Sequence, residues 1–399
     1  MTGIITWRLY FRVEKVILRK TSRILGGHLW IFSNELMSSP RNYAPGSFVS
    51  LYDRQNYFLG IGYINPNSLI SIRLLTRNKE DIDADFFRRR LINAIDYRKR
   101  LRANSNSCRI VFSEGDFLPG LIVDKYADCI VLQFLTLGIN NVGDMILNLL
   151  DEIISPSTIV LRNDSHSRLL EGLAMEKKIV KGAPDPLPVI TEEGVTIEID
   201  PMRGQKTGFF LDQRENRIAL SRYFSGGMGL DLFCYSGAWG LQLAKKGADI
   251  KFIDESETAL SIARKNAKLN NLESRCKFVK KDVFNFLHEE VEAGNTCDFI
   301  VLDPPAFVKS KAKIKEAVKG YREINSMAMR LIKKGGILAT SSCSHHIERA
   351  LFLEILRDAA KDAGKTARLI EYRYQSKDHP ILLSVPETEY LKCAFLEVK

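Results

Sequence analysis

At 399 residues the chain is long enough for two or three domains, each with a core of its own. A hydrophobic fraction of 45% beside 27% charged residues argues against disordered, collagen-like and mucin-like chains, and no apolar run nears the roughly 18 residues needed to cross a bilayer. Met1 to Leu18 alternates apolar residues with Arg and Glu in place of a signal-peptide core, so the cytoplasm is the expected compartment. Seven cysteines without short paired spacing argue against a disulfide framework and a CxxC zinc site, and no metal is expected. The net charge of +10 favours a polyphosphate partner such as nucleic acid.

The stretch from Glu14 to Thr76 reads as short β segments at 48–52, 58–64 and 69–75, separated by AlaProGly and AsnProAsn turns: a small β module. Ahead of these segments, Arg19, Lys20 and Arg23 precede His28, Trp30 and Phe32. Cations mixed with rings suit RNA phosphates and unstacked bases, and equally suit a solvated charged face beside a small aromatic core. From Asp81 the pattern becomes a basic helix, with Arg88 and Arg89 among its cations and apolar residues every three or four positions. Strands at 121–124, 129–135 and 158–162 and a helix near 145–154 complete a middle α+β domain, and GlyAlaProAspProLeuPro (182–188), with three prolines, separates it from the C-terminal half of the chain. Expected boundaries are 1–78, 79–190 and 191–399.

Beyond Thr191, strands near 229–233, 249–253, 275–279, 298–303 and 336–341 alternate with helical patterns. The reading is an α/β fold with a parallel, doubly wound sheet whose ligands bind beyond the carboxyl ends of the strands. The first strand opens on Asp231 and runs into Phe233 and CysTyrSerGlyAlaTrpGly (234–240), where Gly237 and Gly240 let backbone approach a ligand beside Tyr235 and Ser236. This turn lacks GxGxxG and suits the amino-acid end of S-adenosylmethionine (SAM) better than a dinucleotide. Asp254, followed by Ser256, ends the second strand, where a carboxylate can hold ribose hydroxyls; Asp282, followed by Val283, ends the third and can meet an adenine amino group. Taken singly, each acid is as readily a helix cap. The fourth strand ends in AspProProAlaPhe (303–307): the prolines remove two N–H donors and hold Asp303 and the Pro304 carbonyl toward a substrate edge. The fifth ends in SerSerCysSerHisHis (341–346), placing Cys343 beside the same cleft. A thiolate there can add to C6 of a pyrimidine, although a buried inert thiol is the ordinary alternative. His345 and His346 read as caps or solvated groups.

With these motifs, GlyGlnLysThrGlyPhePheLeuAspGlnArgGluAsn (204–216) and the terminal AspHisPro and ProGluThrGluTyrLeuLys, the chain resembles, over nearly its whole length, the RlmI family of large-subunit ribosomal RNA cytosine-C5 methyltransferases. The resemblance implies an N-terminal PUA module, a middle domain shared with related RNA methyltransferases, and a C-terminal Rossmann-like catalytic domain using SAM and releasing S-adenosylhomocysteine. It further implies that Lys206, Thr207, Phe210, Asp212, Gln213 and Arg214 wall the cofactor, that Asp254 and Asp282 take the ribose and adenine roles, and that 23S ribosomal RNA, free or in early assembly, is the partner, with a homodimer left open. The chain departs from the pattern at His28, Leu29 and Trp30, where relatives often carry a central proline, and at Ala238 and Trp239, which replace a commoner glycine and phenylalanine. Trp7 and Tyr10 receive no role.

The chemistry expected is addition of Cys343 to C6, with Asp303 stabilising N3 and methyl transfer to C5. The alternatives are methylation of an exocyclic base amine, for which an acid followed by ProPro also serves, and an RNA-binding assembly factor without catalysis.

Overall fold

The computed structural model describes residues 13–101, 105–307 and 313–399, and these divide into two compact units. Trp7 and Tyr10 lie outside the described residues. The first unit holds two five-stranded sheets. One takes Glu14–Ile17, Phe48–Tyr52, Phe58–Ile64, Ile72–Thr76 and Trp30–Ile31 in that spatial order, all neighbours antiparallel except the first pair. The other runs Glu176–Lys181, Thr158–Asn163, Cys129–Phe134, Leu121–Tyr126 and Ser107–Phe112. The basic helix is Ala84–Leu101. Its apolar face at Phe87, Leu91 and Ala94 is buried as the spacing predicts, and continues into Arg98, whose guanidinium is buried and bonded to Asp116 and to the carbonyls of Arg109 and Asp378 at 2.7 Å.

The division is not the contiguous one expected at 190/191. Ile199–Phe209 and Lys377–Thr388 pack with the first unit. The reason is polar burial: Asp378, fully buried, accepts the Arg109 backbone N–H at 3.0 Å, and Thr207 donates to buried Asp124 at 2.6 Å, so both segments supply partners that buried groups of this unit need.

The second unit opens with a hairpin, Val189–Glu192 and Val195–Glu198, from which buried Glu192 pairs bidentately with Arg217 of the helix Arg214–Ser221 at 2.8 and 3.0 Å. Removing one partner of so buried a pair costs about 3–5 kcal/mol. Its seven-stranded sheet comprises β1 (Met228–Leu232), β2 (Asp249–Asp254), β3 (Cys276–Lys280), β4 (Cys297–Leu302), β5 (Ile332–Ser342), β6 (Ala367–Arg373) and β7 (Lys392–Val398), ordered β3-β2-β1-β4-β5-β7-β6. β1 to β5 are parallel as expected, and two further strands complete the sheet, β7 lying antiparallel between β5 and β6. Nearly every residue of β7 is buried, as its place between two neighbouring strands requires. One core, including Leu232, Ile300, Leu302, Tyr321, Leu338 and Phe352, joins the sheet to the helices Val283–Glu292, Ile314–Leu331 and Arg349–Asp362. Among the described residues no helix is long and apolar enough to cross a membrane.

Candidate active site

Where β1 ends, the chain turns through left-handed conformations at Phe233 (φ 60°), Tyr235 (φ 47°) and Gly237 (φ 77°) before the helix Ala238–Ala244. Two non-glycine residues held in that region store strain, a mark of a preorganised ligand loop. Gly240 is required by packing: a Cβ there would stand 2.4 Å from Cε1 of Phe252 on β2. The turn rests on Asp231, which is almost fully buried and accepts the Gly240 N–H on Oδ2 at 2.8 Å, while Oδ1 has no protein partner. Burial pushes its carboxyl well above the usual carboxylate range. The Gly240 N–H counteracts in part, and the nearby charges of Asp303 and Asp254 add to the rise. A buried carboxylate oxygen without a donor, in a strained cradle at a strand end, fits a cationic ammonium such as the amino-acid end of SAM.

Asp254, partly buried at the end of β2, accepts the N–H of Tyr235 on Oδ2 (3.0 Å) and of Ser256 on Oδ1 (2.9 Å), fixing the second loop against the first. Ser256 caps the helix Glu257–Leu269 through Ala259. Asp282 is exposed and caps the helix Val283–Glu292 by accepting the Asn285 N–H at 2.9 Å, the local role that its residue type favours. Val283 is buried in the core beneath it.

Asp303, just past β4, receives two side-chain donors: Gln213 Nε2 on Oδ1 at 3.0 Å and Trp239 Nε1 on Oδ2 at 3.1 Å. The same Gln213 amide donates to Ser341 Oγ at 3.1 Å and its oxygen accepts Asn216 at 2.7 Å, so one buried side chain ties the end of β4 to the end of β5. Ser341 lies two residues before Cys343, which is partly exposed. Tyr321 fixes this segment from below. Its hydroxyl bonds Ser342 and Ser344, on either side of the cysteine, each at 3.1 Å, and its ring packs on Phe307 of the ProPro loop at 4.5 Å. Pro304 is buried in that loop.

The remaining expected wall residues have structural ties. Asp212 is buried and accepts the Tyr390 hydroxyl at 2.7 Å. Arg214, also buried, faces Glu192 at 3.3 Å. Phe210 meets the Tyr235 ring edge-on at 5.4 Å. Thr207 belongs to the first unit, its hydroxyl bonded to Asp124 and Tyr126, and Lys206 beside it is exposed. The sequence reading assigned no bonding role to Trp239, Tyr321 or Lys392. Trp239 lies within the singled-out turn, whereas Tyr321 shows only helical spacing.

In the β module, Arg19, Lys20 and Arg23 are exposed, and the Arg23 guanidinium lies 4.8 Å from the Phe32 ring centre. Lys20, Arg23, Phe32 and Leu69 line an open cavity of about 520 Å³. Trp30 donates its indole N–H to Glu114 at 2.7 Å, and His28 is buried between Glu387 and the Trp30 N–H, which makes it a packing residue. Arg88 pairs with Glu152 and Arg89 with Glu80, both at 2.7 Å. His345 is exposed.

A PUA-like domain family matches residues 16–77 and a methyltransferase domain family residues 224–382. The fold is also that of a SAM-dependent methyltransferase structure from Streptococcus mutans (TM-score 0.83, 19% identity, covering 96% of this chain and 100% of that one). A methyltransferase structure complexed with SAH gives a TM-score of 0.84 at 18% identity, with 96% and 100% coverage. Among curated relatives, the ribosomal RNA large subunit methyltransferase I of Aeromonas hydrophila is 41% identical over 95% of this chain and 96% of its own. That of Shewanella denitrificans is 39% identical over 92% and 94%. With two strand-end loops laced together by carboxylates and the same architecture throughout, the chain belongs to the ribosomal RNA large subunit methyltransferase I family.

Proposed function

We propose that the protein uses SAM to make 5-methylcytosine in 23S ribosomal RNA, in the cytoplasm, through a transient bond between Cys343 and C6 of the base. The observation that carries this reading is the Gln213 bridge: one amide holds the acid that ends β4 and the hydroxyl two residues ahead of the cysteine that ends β5. The bridge holds Asp303 and Ser341 to one amide, and Cys343 follows Ser341 by two residues.

Asp231, the 233–237 turn, Asp254 and Asp282 would hold the cofactor, which when bound supplies an electrophilic methyl group. In the reaction the Cys343 thiolate bonds C6 and the C5–C6 π electrons move toward C5 and the N3 side of the ring, where Asp303, protonated or sharing a proton with N3, donates the hydrogen bond that stabilises them. C5 takes the methyl group, a base removes the C5 proton, and the C6–S bond breaks to restore the aromatic ring and the thiolate. The target base must leave its stack to reach a thiol at a strand end, which costs a few kcal/mol. Arg19, Lys20, Arg23, Arg88 and Arg89 supply the RNA-holding charge, and the Trp30 ring a face for an unstacked base. The carboxylate pairs of Arg88 and Arg89 are surface pairs, weakened by solvent screening, and yield readily to phosphate.

Replacing Cys343 by Ala is expected to abolish 5-methylcytosine, read by nucleoside mass spectrometry of unmodified 23S RNA, with SAM binding intact. Full turnover by that variant would overturn the assignment. RNA carrying 5-fluorocytosine should trap a covalent adduct, which methylation of an exocyclic amine would not.

A further inference from the structure

The terminal ProGluThrGluTyrLeuLys motif ends on Lys392, a residue that neither the cofactor loops nor the Gln213 bridge uses. Lys392 opens β7 and is the register partner of Ser342, the residue before Cys343. Its side chain is only 3% exposed, and its ammonium donates to the carbonyl of Ser344, the residue after Cys343, at 2.7 Å, and to that of Tyr390 at 2.8 Å. The side chain therefore starts opposite one flank of the cysteine and is anchored on the other. Burying an ammonium costs several kcal/mol unless compensated, and two carbonyl dipoles offset this only in part. Burial, opposed in part by Cys343 and Glu389 as neighbouring negative charges, lowers the lysine to about 8.

Building on the reading of Cys343 as nucleophile, we infer that Lys392 is the positive charge that stabilises the Cys343 thiolate, both before it attacks C6 and when it is expelled. The neighbouring titratable groups differ in sign and burial. Tyr321, from the helix Ile314–Leu331, is kept neutral by burial and contributes a dipole without charge. Glu389, ahead of β7, carries the wrong sign to favour a thiolate. His345 follows the cysteine, with its ring 5.8 Å from that of Tyr390. Lys392 is the buried cation of the set. It is a positioning residue in the electrostatic sense: it forms no bond to the base, and it loses no proton in the step. Its charge is present at neutral pH and fades as pH rises through about 8.

The test is the pH profile of Cys343 alkylation by iodoacetamide in the full-length protein, quantified by peptide mass spectrometry so that the other six cysteines are read separately. Lys392→Met is expected to move the midpoint up by about one unit or more and to slow alkylation at pH 7.5 about tenfold, because only the thiolate reacts. Lys392→Arg, which keeps the charge, is expected to hold the midpoint at or below the wild-type value. A Met profile superimposed on wild type would overturn the inference. If the Met variant fails to bind SAM as a check of folding, the Arg variant decides: a midpoint raised to about 8.5, that of an unperturbed thiol, would overturn it. Neither measurement involves RNA or methyl transfer, so loss of the Cys343 reading, seen in the Cys343→Ala assay, is distinguishable from loss of the Lys392 role.

Discussion

Gly240→Ala isolates the steric demand at the heart of the turn proposed to cradle the cofactor. Gly240 sits in the helix Ala238–Ala244 with no positive φ, so alanine meets no backbone penalty there and even gains up to about 1 kcal/mol of helix propensity. The cost is contact. The added Cβ would lie 2.4 and 2.6 Å from Cε1 and Cζ of Phe252 and 2.9 Å from Cγ2 of Ile250, against an ordinary carbon separation of about 3.5–4 Å. Phe252 is fully buried and stacked on Phe278 at 5.0 Å, so its ring cannot retreat by the required ~1 Å, and the helix must move instead. Overpacking of this size costs about 1–3 kcal/mol, which after the propensity gain leaves up to about 2 kcal/mol, or a fall of up to about 8 °C in Tm. The same displacement stretches the 2.8 Å bond from Gly240 N–H to Asp231, and a shift of ~1 Å at a ligand loop is expected to weaken SAM binding at least tenfold. Thermal unfolding and calorimetric titration with SAM read the two effects. Phe252→Leu in the same chain should restore part of both, because it vacates the space the new methyl needs. A variant with wild-type Tm and wild-type SAM affinity would refute the close packing of helix on β2.

Asp231→Asn is expected to act with opposite signs on stability and binding. The buried wild-type carboxyl holds its proton to higher pH than in the unfolded chain, where it titrates near 3.9, so folding stability declines as pH rises above about 4 until the raised value is passed. Asparagine removes that decline, so the variant should gain Tm relative to wild type at pH 8 over pH 5 while losing SAM affinity; a parallel pH trend in the two proteins would count against the burial argument. Tyr321→Phe removes the hydroxyl shared by Ser342 and Ser344, two neutral bonds worth about 0.5–1.5 kcal/mol each, and is expected to lower kcat about three- to tenfold with SAM affinity unchanged. Unaltered kcat would show that the cysteine segment needs no such clamp.

The strands of the catalytic sheet were legible because parallel strands covered on both faces read as near-continuous apolar runs: Asp249–Asp254 and Cys297–Leu302 lie within a residue of expectation. Glu176–Lys181 escaped because it is an almost wholly exposed edge strand rich in lysine, whose partner on one side alone sets its conformation. The hairpin 189–198 was hidden behind the proline-rich segment that precedes it. Within the site, acids at strand ends could be read because topology puts strand ends together. The donors that serve Asp303 could not: Gln213 and Trp239 come from 90 and 64 residues upstream, and nothing in their local spacing reports a shared target. Asp282 shows the converse, a residue whose local capping signal was as strong as its functional one.

The chain passes between its two units at 188/189, 198/199, 209/210, 376/377 and 388/389. Neither unit is thus a detachable cassette. The front one takes Asp378, the acceptor for Arg109, from beyond most of the catalytic sheet, and a ribosome releasing the polypeptide in order must finish nearly all of the back half before the front can close its last buried hydrogen bonds. Completion of the first unit thereby waits on synthesis of most of the second, which ties the two into one folding event.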